Sequence, residues 1–153
     1  MMNKNDAKIS QELLNEILAN ESILLMQTLN YHWNLVGPQF QDYHLLFDKQ
    51  YNQLFADLDK IAERIRAVQG QALGSFKNIL SAASLKEDSG KAPKPQQMII
   101  NLLNQYEILI EQIRAAIITL DKKTTDFGTI NFLEELLTQH EKTAWMLRSL
   151  SEK

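Results

Sequence analysis

The sequence predicts an all-α four-helix bundle, and three observations carry that expectation. Breakers are scarce: the 153 residues include five Gly and three Pro, too few for a β-sandwich with a turn every ~8–12 residues. Apolar residues recur at spacings of three and four, the period of a helix with one buried face. Four such segments of similar length are joined by connections of very different length, as in a bundle with one crossover. At this chain length a single domain around one core is the expectation.

The elements follow in order. The first helix is predicted from about Lys8 to Leu35, opened by Ser10-Gln11-Glu12 and closed by Gly37-Pro38. Gly past a helix end and Pro at the start of the next is the usual stop-and-restart. The second runs from about Pro38 to Val68, with the stripe Leu54, Leu58, Ile61, Ile65 and Val68, and stops before Gly70. The connection over 70–95 holds Gly74, Gly90, Pro93 and Pro95, and Phe76–Ala83 within it predicts a short extra helix. The third long helix, about Gln96 to Lys122, carries Ile99, Leu103, Tyr106, Ile110, Ile113, Ile117 and Leu120 on one face. The fourth, about Thr125 to Leu150, turns Ile130, Leu133, Leu137, Ala144 and Leu147 inward. Each outer pair reads as an antiparallel hairpin, and the long connection reaches across the bundle between them. Residues 1–7 read as a short flexible N-terminal extension to the single domain 1–153.

Composition narrows the chemistry. Sixteen Lys and Arg against nineteen Asp and Glu give a net charge of −3, which disfavours a globally basic nucleic-acid binder. With no Cys there is no disulfide, thiolate zinc site, iron–sulfur cluster or thiol nucleophile. Any metal is held by His, Asp and Glu. The N-terminus lacks an apolar signal core, and no stretch approaches the ~18–20 apolar residues of a membrane span. The expected location is the cytoplasm, with no membrane partner.

Of the three His, His32 and His44 flank the Gly37-Pro38 turn, and Asp48, Asp59 and Glu63 follow on the second helix. Two imidazoles and three carboxylates suit iron or manganese. At ~100° per residue, His44, Asp48, Asp59 and Glu63 fall within about 100° of one another on a single stripe. Along the axis, however, Asp48 and Asp59 stand about 16 Å apart and His44 and Glu63 about 28 Å, too far to share a metal within one chain. The pairs 44/63 and 48/59 share one midpoint, between Gln53 and Leu54. A two-fold axis there sets His44 against Glu63 of an antiparallel copy and Asp48 against its Asp59. The expectation is a homodimer with two equivalent intersubunit sites, with Tyr51 and Phe55 near the axis and His32 joining across the turn. A charged stripe on a helix is more often a solvated face, and the shared midpoint is what lifts this one above that reading.

These residues also resemble a family. His32-Trp33-Asn34, Gly37, Phe40, His44 and Phe47-Asp48 are similar to the Dps family of mini-ferritins. So are Asp59-x-x-Ala62-Glu63-Arg64-Ile65, Ala72-Leu73-Gly74, Thr124-Thr125-Asp126 and Glu141–Arg148. The resemblance spans about residues 8–150, and no ligand position departs from it. It implies a ferritin-like bundle, with the crossover and its short helix, assembled as a dodecameric hollow shell. It implies a ferroxidase that oxidises Fe(II), preferably with hydrogen peroxide, and stores ferric mineral, protecting against oxidative stress. His32, His44 and Asp48 would come from one subunit, and Asp59 and Glu63 from its two-fold mate. Asp59, Glu63 and His32 would hold one iron, with His44 and Asp48 completing a second, weaker position, so the centre is dinuclear or mononuclear with a weak neighbour. Trp33, beside His32, is a candidate relay for stray oxidising equivalents.

Many members of that family protect DNA through a Lys-rich terminus, and this is the alternative role. Here Lys4 and Lys8 stand against Asp6, and the chain ends Glu152-Lys153, so DNA binding is expected to be weak or absent. Asp121 and Asp126, between the last two helices, resemble the region lining the family's pores, although Asp126 equally suits a helix N-cap. His140 lies on an inward stripe without a partner motif and reads as a packed or interfacial His.

Overall fold

The computed structural model describes residues 2–88 and 90–151. Five helices make up its regular structure: α1 (Lys4–Asn34), α2 (Phe40–Ala67), α3 (Phe76–Ala82), α4 (Pro95–Lys123) and α5 (Phe127–Leu150). α1 packs along α2, α4 along α5, the two hairpins meet through α1 and α4, and α3 rests on α1. The bundle is the one the sequence predicts, and α1 begins at Lys4, inside the stretch 1–7 expected to be an extension. Asn3 caps α1 by accepting from the Asp6 amide at 2.8 Å. Asp6 is in turn buried, and its carboxylate accepts from the Thr125 amide at 2.9 Å. Residue 1 lies outside the described residues. Capping chemistry and one long-range bond thus extend the helix about a turn beyond its apolar stripe.

The crossover is stitched to α1 by amide side chains. Asn15 donates to the Gln71 carbonyl at 3.1 Å and accepts from the Leu73 amide at 3.0 Å. Asn20, fully buried, accepts from the amides of Ser84 and Leu85, both at 2.9 Å. Tyr31 donates to Asp88 at 2.7 Å. The connection therefore climbs α1 from Asn15 to Tyr31, ~24 Å at 1.5 Å per residue, and delivers α4 to the end where α2 began. A Cβ on Gly37 would lie 3.7 Å from Pro95 at the start of α4. α2 and α4 consequently run parallel, each antiparallel to its hairpin partner. The core is a continuous apolar column that includes Leu14, Ile17, Leu24, Tyr31, Phe47, Leu54, Ile61, Leu102, Tyr106, Ile113 and Leu133.

Candidate metal centre

The α1–α2 turn brings two imidazoles face to face. Gly37 holds φ at +133°, a conformation that L side chains rarely adopt, and the Phe40 amide closes the turn on its carbonyl at 3.1 Å. The His32 and His44 rings then stack with centroids 3.8 Å apart and planes 14° from parallel. Their backbones lock them. His32 Nδ1 donates to the His44 carbonyl at 3.0 Å, and His44 Nδ1 donates to the His32 carbonyl at 2.9 Å. A carbonyl can only accept, so both rings carry a proton on Nδ1, and Nε2 is the nitrogen left to face a metal. Phe40 stacks on His44 with centroids 4.8 Å apart, and the Tyr51 ring is inclined 62° to that of His32 with centroids 5.1 Å apart. The Tyr51 hydroxyl donates to Asp48 Oδ1 at 3.0 Å, an interaction that raises the phenol pKa and keeps it the donor. His32, His44, Asp48 and Tyr51 form one pre-oriented group at the mouth of the hairpin.

Asp59 and Glu63 do not join them. Both are exposed further along α2, and no three of the five expected ligands bring donor atoms within 4.8 Å of one another among the described residues. Between the two sets stands Phe55, 66% exposed, and beside it Phe76 of α3, 79% exposed. Asp59 sits on the lining of a groove between α1, α2 and α3 that is otherwise mostly apolar, with Leu18, Leu58, Ala62, Leu73 and Ile79. One chain therefore presents a nitrogen-rich group and a separate carboxylate pair, with aromatic surface between them.

Known proteins share this architecture. The model of the ferritin-like domain matches residues 11–153. An uncharacterized low temperature-induced protein of Nostoc is 41% identical over 140 residues, covering 92% of this chain and 78% of its own. DNA protection during starvation protein 2 of Bacillus anthracis is 30% identical over 138 residues, covering 90% of this chain and 93% of its own. The chain belongs to the Dps family of ferritin-like proteins. Its fold agrees: a Dps protein from Vibrio cholerae O1, described as a member of a broad superfamily of ferritin-like diiron-carboxylate proteins, superimposes with a TM-score of 0.91. That pair is 30% identical, with 97% of this chain and 92% of the other covered. No helix among the described residues is long and apolar enough to cross a membrane.

The two acidic residues expected at a pore part ways within this Dps fold. Asp121 is exposed near the end of α4. Asp126 is buried. Its Oδ1 takes the Thr129 amide at 3.1 Å, as the N-cap of α5, and Arg64 at 2.8 Å. Its Oδ2 takes the Ser10 hydroxyl at 2.6 Å and that of Thr129. Burial alone would raise its pKa, but these donors and the Arg64 charge together lower it. Trp33 is exposed on α1 and lines a shallow surface hollow with Met26, Asn30 and Asn34.

The structure also assembles a group the sequence reading did not join. Glu21 of α1, Asp57 of α2 and His140 of α5 meet inside the bundle, all buried, with donor atoms within 4.8 Å of one another. His140 Nε2 lies 3.0 Å from Glu21 Oε2. Burial works to lower the His140 pKa, yet the charge and hydrogen bond of Glu21 and the charge of Asp57 outweigh it and raise it. A signal existed. Glu21 falls between Ile17 and Leu24, Asp57 between Leu54 and Ile61, and His140 between Leu133 and Ala144. Each interrupts an apolar stripe, and three interruptions in three helices are worth joining.

Proposed function

We propose that this Dps-family chain is a ferroxidase that takes up Fe(II) as substrate, oxidises it at sites shared by two-fold-related subunits and stores the ferric product in a hollow dodecamer. The observation that carries the reading is the locked imidazole pair, with both Nδ1 atoms held by backbone carbonyls, on the same helix as a separate carboxylate pair. An antiparallel copy about a midpoint near Leu54 unites the two halves and covers Phe55 and Phe76 in one step. Asp59 and Glu63 would supply hard oxygens for Fe(II), and His32 a nitrogen. His44 and Asp48 would complete the second, weaker position, with Tyr51 steering Asp48. Hydrogen peroxide, the preferred oxidant, is reduced to two waters by one electron from each of two Fe(II) ions and two protons, so no hydroxyl radical is released. Trp33 stands one residue from His32 and would intercept stray oxidising equivalents, and Asp121 would mark the cation path.

The test adds Fe(II) and peroxide to the apo-protein and follows ferric absorbance beside an Asp59→Ala/Glu63→Ala variant. The expected result is a loss of initial rate of at least about ten-fold, the usual order for removing metal-site groups. Equal rates would sink the reading.

The names of relatives such as that from Bacillus anthracis favour a second role in DNA protection. The N-terminal cations argue against strong binding. Lys4 and Lys8 belong to α1 rather than to a free tail, and Lys8 stands 3.8 Å from Glu12. Affinity for DNA scales with clustered cations, so plasmid should not shift on a gel at physiological salt. A shift that persists there would restore the DNA-protecting role.

A further inference from the structure

Inside the subunit, on the buried face of the bundle, stand two carboxylates and an imidazole that the ferroxidase reading does not use. Glu21 is fully buried, Asp57 is 2% exposed and His140 is 1% exposed. Among the described residues no Lys or Arg pairs with either acid. With His140 protonated against Glu21, the set carries a net −1 in a low-dielectric interior, a costly arrangement unless something compensates it. One oxygen of Glu21, Oε1, is buried with no hydrogen-bond partner, although its sister Oε2 reaches His140. Native interiors rarely tolerate such an orphan. The second acid, by contrast, is held in place from outside. Gln53 donates to Asp57 Oδ1 at 3.0 Å, and Gln139 donates to Oδ2. These amides orient Asp57 without neutralising it. On the remaining side the Tyr106 ring of α4 stands nearly perpendicular to His140, with centroids 5.4 Å apart. Burial and the charges of Glu21 and Asp57 keep its hydroxyl protonated and neutral.

We propose that Glu21, Asp57 and His140 bind one divalent first-row transition-metal cation within a single subunit. One imidazole nitrogen and carboxylate oxygens from two residues are a donor set for Mn(II), Fe(II), Co(II) or Zn(II). The exchange balances. The cation enters as the His140 Nε2 proton leaves to solvent, and the net charge of the site passes from −1 to zero. The same ion gives Glu21 Oε1 the partner it lacks. Gln53 is exposed and Gln139 half-buried, so a cation reaches Asp57 past two flexible amides rather than through the apolar core. This site owes nothing to a second chain, which separates it from the shared centre.

The test uses the full-length His32→Ala/His44→Ala/Asp48→Ala/Asp59→Ala/Glu63→Ala protein, in which all five ligands of the shared centre are gone, and titrates it with Co(II) as probe. Equilibrium dialysis should find about one Co(II) per chain, with the visible absorption of a bound ion. Adding Glu21→Gln should weaken that binding at least ten-fold. The change is isosteric and leaves imidazolium and Asp57 balanced, so the bundle should retain its helical circular dichroism. Should it not, His140→Gln in the same background supplies the comparison. No Co(II) retained by this background variant, or equal affinity after the Glu21 substitution, would overturn the proposal. Failure of the shared centre reads out separately, in ferric absorbance of the otherwise native protein.

Discussion

At Asp126 one carboxylate ties α1, α2 and α5 together through Ser10, Arg64 and Thr129. Because those donors hold its pKa below the usual carboxylate range, its stabilisation is full above the unfolded value of ~3.9. It is lost as pH falls through the lower folded pKa. Urea unfolding across a pH series should therefore show stability falling below about pH 4, and a shallower fall in Asp126→Asn. At neutral pH that variant should lose about 1–3 kcal/mol, since Arg64 keeps its charge and loses its partner. Equal slopes would contradict this role. Single residues were legible where their neighbours repeat a pattern. His44/Asp48 and Asp59/Glu63 are i,i+4 pairs on one stripe, and the Gly37-Pro38 turn declares the level of His32. Asn15 and Asn20 were not legible, because their partners, backbone groups among them, lie more than fifty residues away. Glu21, Asp57 and His140 stand on three different helices, and only packing turns three isolated oddities into one group.

The helices themselves were read to within a few residues, since apolar period and Gly/Pro punctuation act locally. Their ends were less legible because caps are made by particular side chains and turns. α2 ends in a paired turn, the Gln69 amide bonding the Arg66 carbonyl at 2.9 Å and the Gly70 amide that of Ile65 at 2.8 Å. The left-handed position falls on Gln69, at φ 66°, rather than on the glycine. Gly70 is instead required by space, since a Cβ there would meet Gln11 at 2.5 Å. Gln69→Gly should therefore stabilise the protein by about 0.5–1 kcal/mol, by relieving Cβ strain in the left-handed region. Chemical unfolding reads this as a higher midpoint at unchanged slope. A lower midpoint would mean that the Gln69 side chain compensates for its own strain.

For the whole molecule, the consequential feature is that α2 carries two pairs of potential ligands, His44/Glu63 and Asp48/Asp59, each placed symmetrically about the helix centre. Helical rise and angle suffice to keep His44 and Glu63 about 28 Å apart on a continuous helix, and α2 runs unbroken through both. The groove beside Phe55 and Phe76 was not legible, because the exposure of α3 depends on where the crossover lays it down. Subunit mixing distinguishes a centre shared by two chains from one held within a single chain. A His32→Ala/His44→Ala/Asp48→Ala variant and an Asp59→Ala/Glu63→Ala variant would be co-refolded in equal amounts and assayed for peroxide-driven ferric absorbance. Half of the random two-fold pairs are mixed, and each mixed pair carries one intact centre of two. The mixture should thus recover roughly a quarter of the wild-type rate, while each parent alone stays near background. A mixture no more active than its parents would contradict the account.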